Sequence, residues 1–102
     1  MEMPSVTIAT DATGEDVVVC VGEFDVDGLA ALSRACAEQA RPGRGLTLDV
    51  VGLGFADSSF LNELVKWRRR GPVVLVGPLP GQLRRLLELT DTLALFDVRT
   101  PA

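Results

Sequence analysis

The segment Val6-Thr7-Ile8-Ala9 alternates apolar and polar side chains, the period of a half-buried strand. Asp11-Ala12-Thr13-Gly14-Glu15 is turn material, and the β-branched run Val17-Val18-Val19-Cys20-Val21 follows, so the two segments predict a hairpin. The second strand is apolar at every position, which predicts cover on both faces, as for interior strands of α/β sheets. Across residues 26–40 the period changes. Val26, Leu29, Ser33, Cys36, Ala37 and Ala40 recur at three- and four-residue steps, an amphipathic helix. Asp25 or Asp27 can cap its start, and Arg41-Pro42-Gly43 stops it.

Leu46-Thr47-Leu48-Asp49-Val50-Val51 predicts a third strand, from which Gly52-Leu53-Gly54 leads into Phe55-Ala56-Asp57-Ser58-Ser59 and a second helix. That helix carries Leu61, Leu64 and Val65 inward. Arg68-Arg69-Arg70 ends it, where positive charge suits the helix dipole, so the run reads as a solvated helix end. After the breaker Gly71-Pro72, Val73-Val74-Leu75-Val76 is a fourth strand. Residues 77–81 form a loop and 82–88 a third helix with Leu83, Leu86 and Leu87 inward. A turn or short helix over residues 90–95 and a short strand at Phe96-Asp97-Val98 complete the order β-β-α-β-α-β-α-(β). Strands alternating with helices run parallel, with the first strand antiparallel at one side. The expected fold is therefore α/β: a mixed, mainly parallel sheet with helices packed on it, residues 1–102 forming one domain.

Composition narrows the function. The chain has 102 residues, 47% of them hydrophobic and 24% charged, an ordinary globular mixture for one domain with one core. Fourteen acidic against 10 basic residues give a net charge of −4, which disfavours nucleic acid. No apolar run approaches the ~20 residues needed to span a bilayer, and Met1-Glu2-Met3-Pro4 does not open a signal peptide, so a cytoplasmic protein without a membrane partner is expected. Cys20 and Cys36 fall in a strand-like run and on an inner helix face, as buried inert thiols do. A metal or redox role would want a Cys-x-x-Cys pair or histidine neighbours, and the chain has no histidine. No cofactor and no metal is expected.

Parallel strands gather their strand-to-helix loops on one edge of the sheet, where open α/β domains bind their ligands. Here those loops are Gly22-Glu23-Phe24-Asp25, Asp57-Ser58-Ser59 and Pro78-Leu79-Pro80-Gly81. Glu23, Asp25, Asp27 and Asp57 make the edge acidic, and none of the loops holds a lysine or arginine. Enzymatic chemistry finds little support. Asp25-Val26-Asp27 mimics the paired aspartates of haloacid-dehalogenase-type phosphatases, but that chemistry also needs a lysine and a further acidic metal site, and the only lysine, Lys66, lies deep in a helix. A receiver-type phosphoacceptor aspartate fails for the same lysine. Gly52-Leu53-Gly54 lacks the third glycine of a dinucleotide loop, and the 77–81 loop is not followed by Lys-Ser/Thr. No base stands beside a nucleophile for acyl transfer.

Asp57-Ser58-Ser59 reads locally as helix capping, worth ~1 kcal/mol. Taken with Gly22-Glu23-Phe24-Asp25, the strand over 46–51, the lead-in Leu53-Gly54-Phe55-Ala56, the strand over 73–76 and Leu83-Arg84-Arg85-Leu86-Leu87-Glu88-Leu89, it resembles the STAS domain, named for sulfate transporters and anti-sigma factor antagonists. The resemblance spans nearly the whole chain in order. It implies a stand-alone anti-anti-sigma factor that binds an anti-sigma factor which is also a serine kinase. Phosphorylation of the first serine after the Asp stops that binding and a serine phosphatase restores it. On this chain the phosphoacceptor would be Ser58, with Ser59 the lesser candidate, and the docking rim would hold Glu23, Asp25, Asp57, Ser58 and Ser59. One position departs from the family pattern: Phe60 stands where glycine is usual. Phe60 and Trp67, seven residues apart on one face, are either core beside Leu64 or partly exposed aromatic anchors for the partner. The alternative to the phospho-switch is a STAS-like scaffold or sensor subunit of a signalling or transport complex that is never phosphorylated.

Overall fold

The computed structural model describes residues 3–40 and 45–100. The elements run β1 (Ser5–Thr10), β2 (Asp16–Glu23), α1 (Val26–Gln39), β3 (Leu46–Asp49), β4 (Leu53–Phe55), α2 (Ser58–Arg68), β5 (Val73–Val76), α3 (Gly81–Leu89), a 3-10 turn (Leu93–Leu95) and β6 (Asp97–Arg99). Six strands form one sheet in the order β1-β2-β3-β5-β6, with β4 pairing the far end of β2. β1 and β2 are antiparallel and every other pair is parallel. The expected α/β architecture is the observed one. The expected stop at Arg41-Pro42-Gly43 lies outside the described residues.

The hairpin closes on Asp11, whose carboxylate accepts hydrogen bonds from the Thr13 hydroxyl at 2.6 Å and the Thr13 and Glu15 amides at 2.8 and 3.0 Å. Those donors, the Thr13 hydroxyl first, hold the Asp11 pKa below its ordinary value. β4 is an element that sequence periodicity does not predict. It exists because Gly22 takes φ +94°, a conformation that favours glycine. The register shifts between Gly22 and Glu23, which turns the end of β2 onto Leu53 and Phe55.

Register alternation divides the sheet cleanly. Ile8, Val18, Leu48, Leu75 and Val98 form one row across five strands. This row faces the helices, and its interior members Val18, Leu48 and Leu75 are fully buried with Leu32 and Cys36 of α1, Leu64 of α2, and Leu83 and Leu87 of α3. The next row, Thr7, Val19, Asp49, Val76 and Arg99, faces the other way and contains no buried residue. The expectation that β2 is covered on both faces is therefore corrected. The all-apolar run reflects β-branched side chains shielding one another on an open, half-buried face, while helices cover the opposite one.

α1 also differs in phase from its sequence pattern. Its buried face is Gly28, Leu32 and Cys36, whereas Val26 is 81% exposed and Ala37 is exposed. Gly28 belongs to the inner face because a Cβ there would fall 2.7 Å from the Pro4 Cβ. Arg68-Arg69-Arg70 is exposed as expected, and two of its members are engaged. The Arg68 Nε donates to the Leu95 carbonyl at 2.7 Å, and the Arg70 guanidinium lies 4.9 Å from the Trp67 ring centroid.

Candidate functional site

The C-terminal ends of β2, β4 and β5 open into three turns that start α1, α2 and α3. Two of these starts are built alike. Asp25 is extended (φ −100°) and its Oδ1 accepts from the amides of Asp27 and Gly28, both at 3.1 Å. Asp57 is extended (φ −111°) and its Oδ1 accepts from Ser59 and Phe60 at 2.9 and 3.2 Å. Each carboxylate satisfies two of the amides a helix start leaves free and places negative charge at the positive end of the dipole. Asp25 is exposed and Asp57 half-buried. Ser58, the first residue of α2, is exposed, and so is Ser59.

Glu23 is less open than its neighbours. It is half-buried, and its Oε2 is covered without a hydrogen-bond partner among the described residues. The rim is joined across β2 and β4 by the Phe24 amide, which donates to the Phe55 carbonyl at 3.4 Å. The third turn, Gly77 to Gly81, contains a cis peptide before Pro78 and gives α3 no side-chain cap.

Phe60 and Trp67 do not stand on this rim. Phe60 is 0% exposed and meets Phe24 edge-on, with ring centroids 5.4 Å apart at 64°. Trp67 is 5% exposed, with its Nε1 buried and unpartnered among the described residues and Lys66 5.1 Å from its ring centroid. The reading of these two rings as exposed anchors is corrected to core packing. Both lie on the α2 face that meets the sheet, where Leu64 also lies.

Three features went unpredicted. Val26, counted on the inner face of α1 by its spacing, is instead exposed beside Asp25, and Phe55 of β4 is 44% exposed. They give the acidic rim two apolar members. Gln82 of α3 reaches the turn before Asp57: the Ala56 amide donates to its Oε1 at 2.9 Å and its Nε2 donates to the Ala56 carbonyl at 2.5 Å. No short-range pattern signals a contact made across 26 residues of sequence.

The architecture and the rim can be set against known proteins. The family model described as Mlab, STAS domain, matches residues 8–95. The chain belongs to the STAS domain family. Among solved structures, an anti-sigma factor antagonist from Mycobacterium paratuberculosis superposes with a TM-score of 0.72 at 25% identity, covering 95% of this chain and 86% of that one. The anti-sigma factor antagonist SpoIIAA in its unphosphorylated form superposes with a TM-score of 0.60 at 18% identity, over 96% and 88% of the two chains, which shows shared fold. No match was found among curated proteins. No helix among the described residues of this STAS domain is long and apolar enough to cross a membrane.

Proposed function

We propose that this STAS domain is an anti-sigma factor antagonist that docks through the rim formed by Asp25, Asp57, Ser58 and Ser59, and that phosphorylation of Ser58 by the anti-sigma factor's serine kinase activity ends the docking. A serine phosphatase would restore it. The observation that carries this reading is the placement of Ser58: exposed, at the first position of a helix whose start is already capped by the residue before it. A hydroxyl there can be modified without opening the core. Val26 and Phe55 supply apolar contact area beside the charges. Glu23, being half-buried, contributes to the rim's negative potential more than to direct contact.

Phosphate on Ser58 adds about −1.5 to −2 charges. A helix N-terminus tolerates an anion, so the domain keeps its fold. The new charge joins Asp57 on an edge that already carries Asp25 and Asp27, and it must be desolvated or repelled when a partner closes over it. Like charges forced together in an interface cost several kcal/mol, and each ~1.4 kcal/mol is tenfold in affinity. Phe60, the departure from the family pattern, does not crowd Ser58, because its ring is spent on Phe24 inside the core.

The test is a binding titration of wild type, Ser58→Ala and Ser58→Asp against the cognate anti-sigma factor, with phosphate incorporation followed when ATP is added. Ser58→Ala is expected to bind as wild type does and to take up no phosphate. Ser58→Asp should bind roughly 10- to 100-fold more weakly, part of the effect of a full phosphate. Equal affinities for all three, with no phosphate on Ser58, would remove the switch and leave a STAS-like scaffold as the better description.

A further inference from the structure

We infer that Gln82 is a positioning residue: its side-chain amide, bound to both the backbone N–H and the carbonyl of Ala56, fixes where the Asp57-Ser58-Ser59 turn stands on the rim. The inference rests on the reading of Ser58 as the regulated residue.

Ala56 is completely buried and lies just past the last residue of β4. A buried backbone amide and carbonyl need partners, and beyond the end of a strand the ladder no longer supplies them. Gln82 supplies both, donating through Nε2 and accepting through Oε1, as the backbone of a neighbouring strand would. The next residue, Asp57, holds the start of α2 by its own side chain. The two devices act in series: Gln82 anchors the residue before the cap, and the cap anchors Ser58 to the helix. Because Gln82 lies in the first turn of α3, the same amide ties the turn after β5 to the turn after β4. α3 has no side-chain cap of its own, so Gln82 is committed across the rim instead of along its helix. Two of the three rim turns are thereby held at a fixed spacing.

Gln82→Met keeps the length and helix propensity of the side chain and deletes both hydrogen bonds. Gln82→Glu keeps the acceptor for the Ala56 amide and deletes the donor. Amide hydrogen exchange is measured by NMR on the full chain for wild type and both variants. Gln82→Met is expected to speed exchange at Ala56, Ser59 and Phe60 by roughly tenfold or more while amides in the β1–β2 hairpin stay within twofold. Gln82→Glu should leave Ala56 exchange closer to wild type than Gln82→Met does. Unchanged exchange at the turn, or a uniform rise across the sheet, would overturn the positioning role.

Affinity for the purified anti-sigma factor is then compared on the same proteins. A roughly fivefold or larger loss in Gln82→Met, at unchanged hairpin exchange, supports the role. Full affinity despite a loosened turn overturns it and leaves the Ser58 reading intact. If wild type, Ser58→Ala and Ser58→Asp bind alike, the Ser58 reading fails on its own, and exchange at Ala56 still decides whether Gln82 fixes the turn.

Discussion

Phe60 illustrates how one side chain can be placed correctly on a helix and still be left with two readings, core or exposed anchor. Spacing puts it on one face with Leu64 and Trp67, but spacing does not say whether that face looks inward. The structure decides: the ring is fully buried against Phe24, an edge-on pair worth ~0.5–1.5 kcal/mol beyond its buried area. Phe60→Ala should therefore destabilise the domain by ~3–5 kcal/mol, seen as a lower urea midpoint at unchanged slope. Whatever fraction remains folded should bind the partner as wild type does, because the ring is no part of the surface around Ser58. A loss of under ~1 kcal/mol would contradict the packing. Asp57-Ser58-Ser59, in contrast, was legible from sequence, because capping is chemistry between residues two and three apart. Gln82 was not, because its partner stands in another turn of the rim.

α1 and α2 begin with the same device, an extended Asp whose carboxylate accepts from the second and third residues of the helix. Replacing either cap by alanine should cost about 1 kcal/mol, whereas asparagine, which keeps the accepting oxygen, should cost only a few tenths. Denaturation of Asp57→Ala and Asp57→Asn thus separates the cap from the charge. Asp57→Asn is expected to keep its stability and yet alter partner affinity, since the rim loses one negative charge. Equal stability losses in the two variants would show that the carboxylate's charge, and not its hydrogen bonds, holds the helix start. The sequence located both helices, since their caps and breakers are local. It misjudged the phase of α1, where Val26, Leu29 and Cys36 fit a periodic stripe as well as Gly28, Leu32 and Cys36 do. The structure selects the second: Leu32 and Cys36 are fully buried in the core, and Pro4 and Phe24 close on Gly28. β4 was invisible for a related reason: three residues with glycine at the centre and glycine before them carry no strand period, and the pairing depends on the turn that Gly22 gives to β2.

Taken whole, the described part of the molecule is two layers: a sheet with helices on one face and an open opposite face. Alternation along strands predicted which residues share a face, but not that one face would stay uncovered, because an unbroken apolar run satisfies either arrangement. The covered side encloses Cys20 of β2 and Cys36 of α1, both fully buried. Burial, the main cause, pushes each thiol from 9.0 up to about 12. Both groups therefore hold their protons longer in the folded state than in the unfolded chain. The sign follows: below the ordinary thiol pKa the stabilisation is complete, and it is lost as pH rises from about 9 through about 12, where the unfolded chain ionises first. The urea midpoint should fall across that alkaline window, and the fall should be smaller in a Cys20→Ala, Cys36→Ala double variant. A thiol-specific reagent at about pH 8 should leave the native protein unmodified and label both cysteines in denaturant, since reaction needs thiolate and access. Because the two thiols sit where the first helix meets the sheet, their labelling reports opening of the layers against each other. Rapid labelling of either one under native conditions would show that those layers part without unfolding.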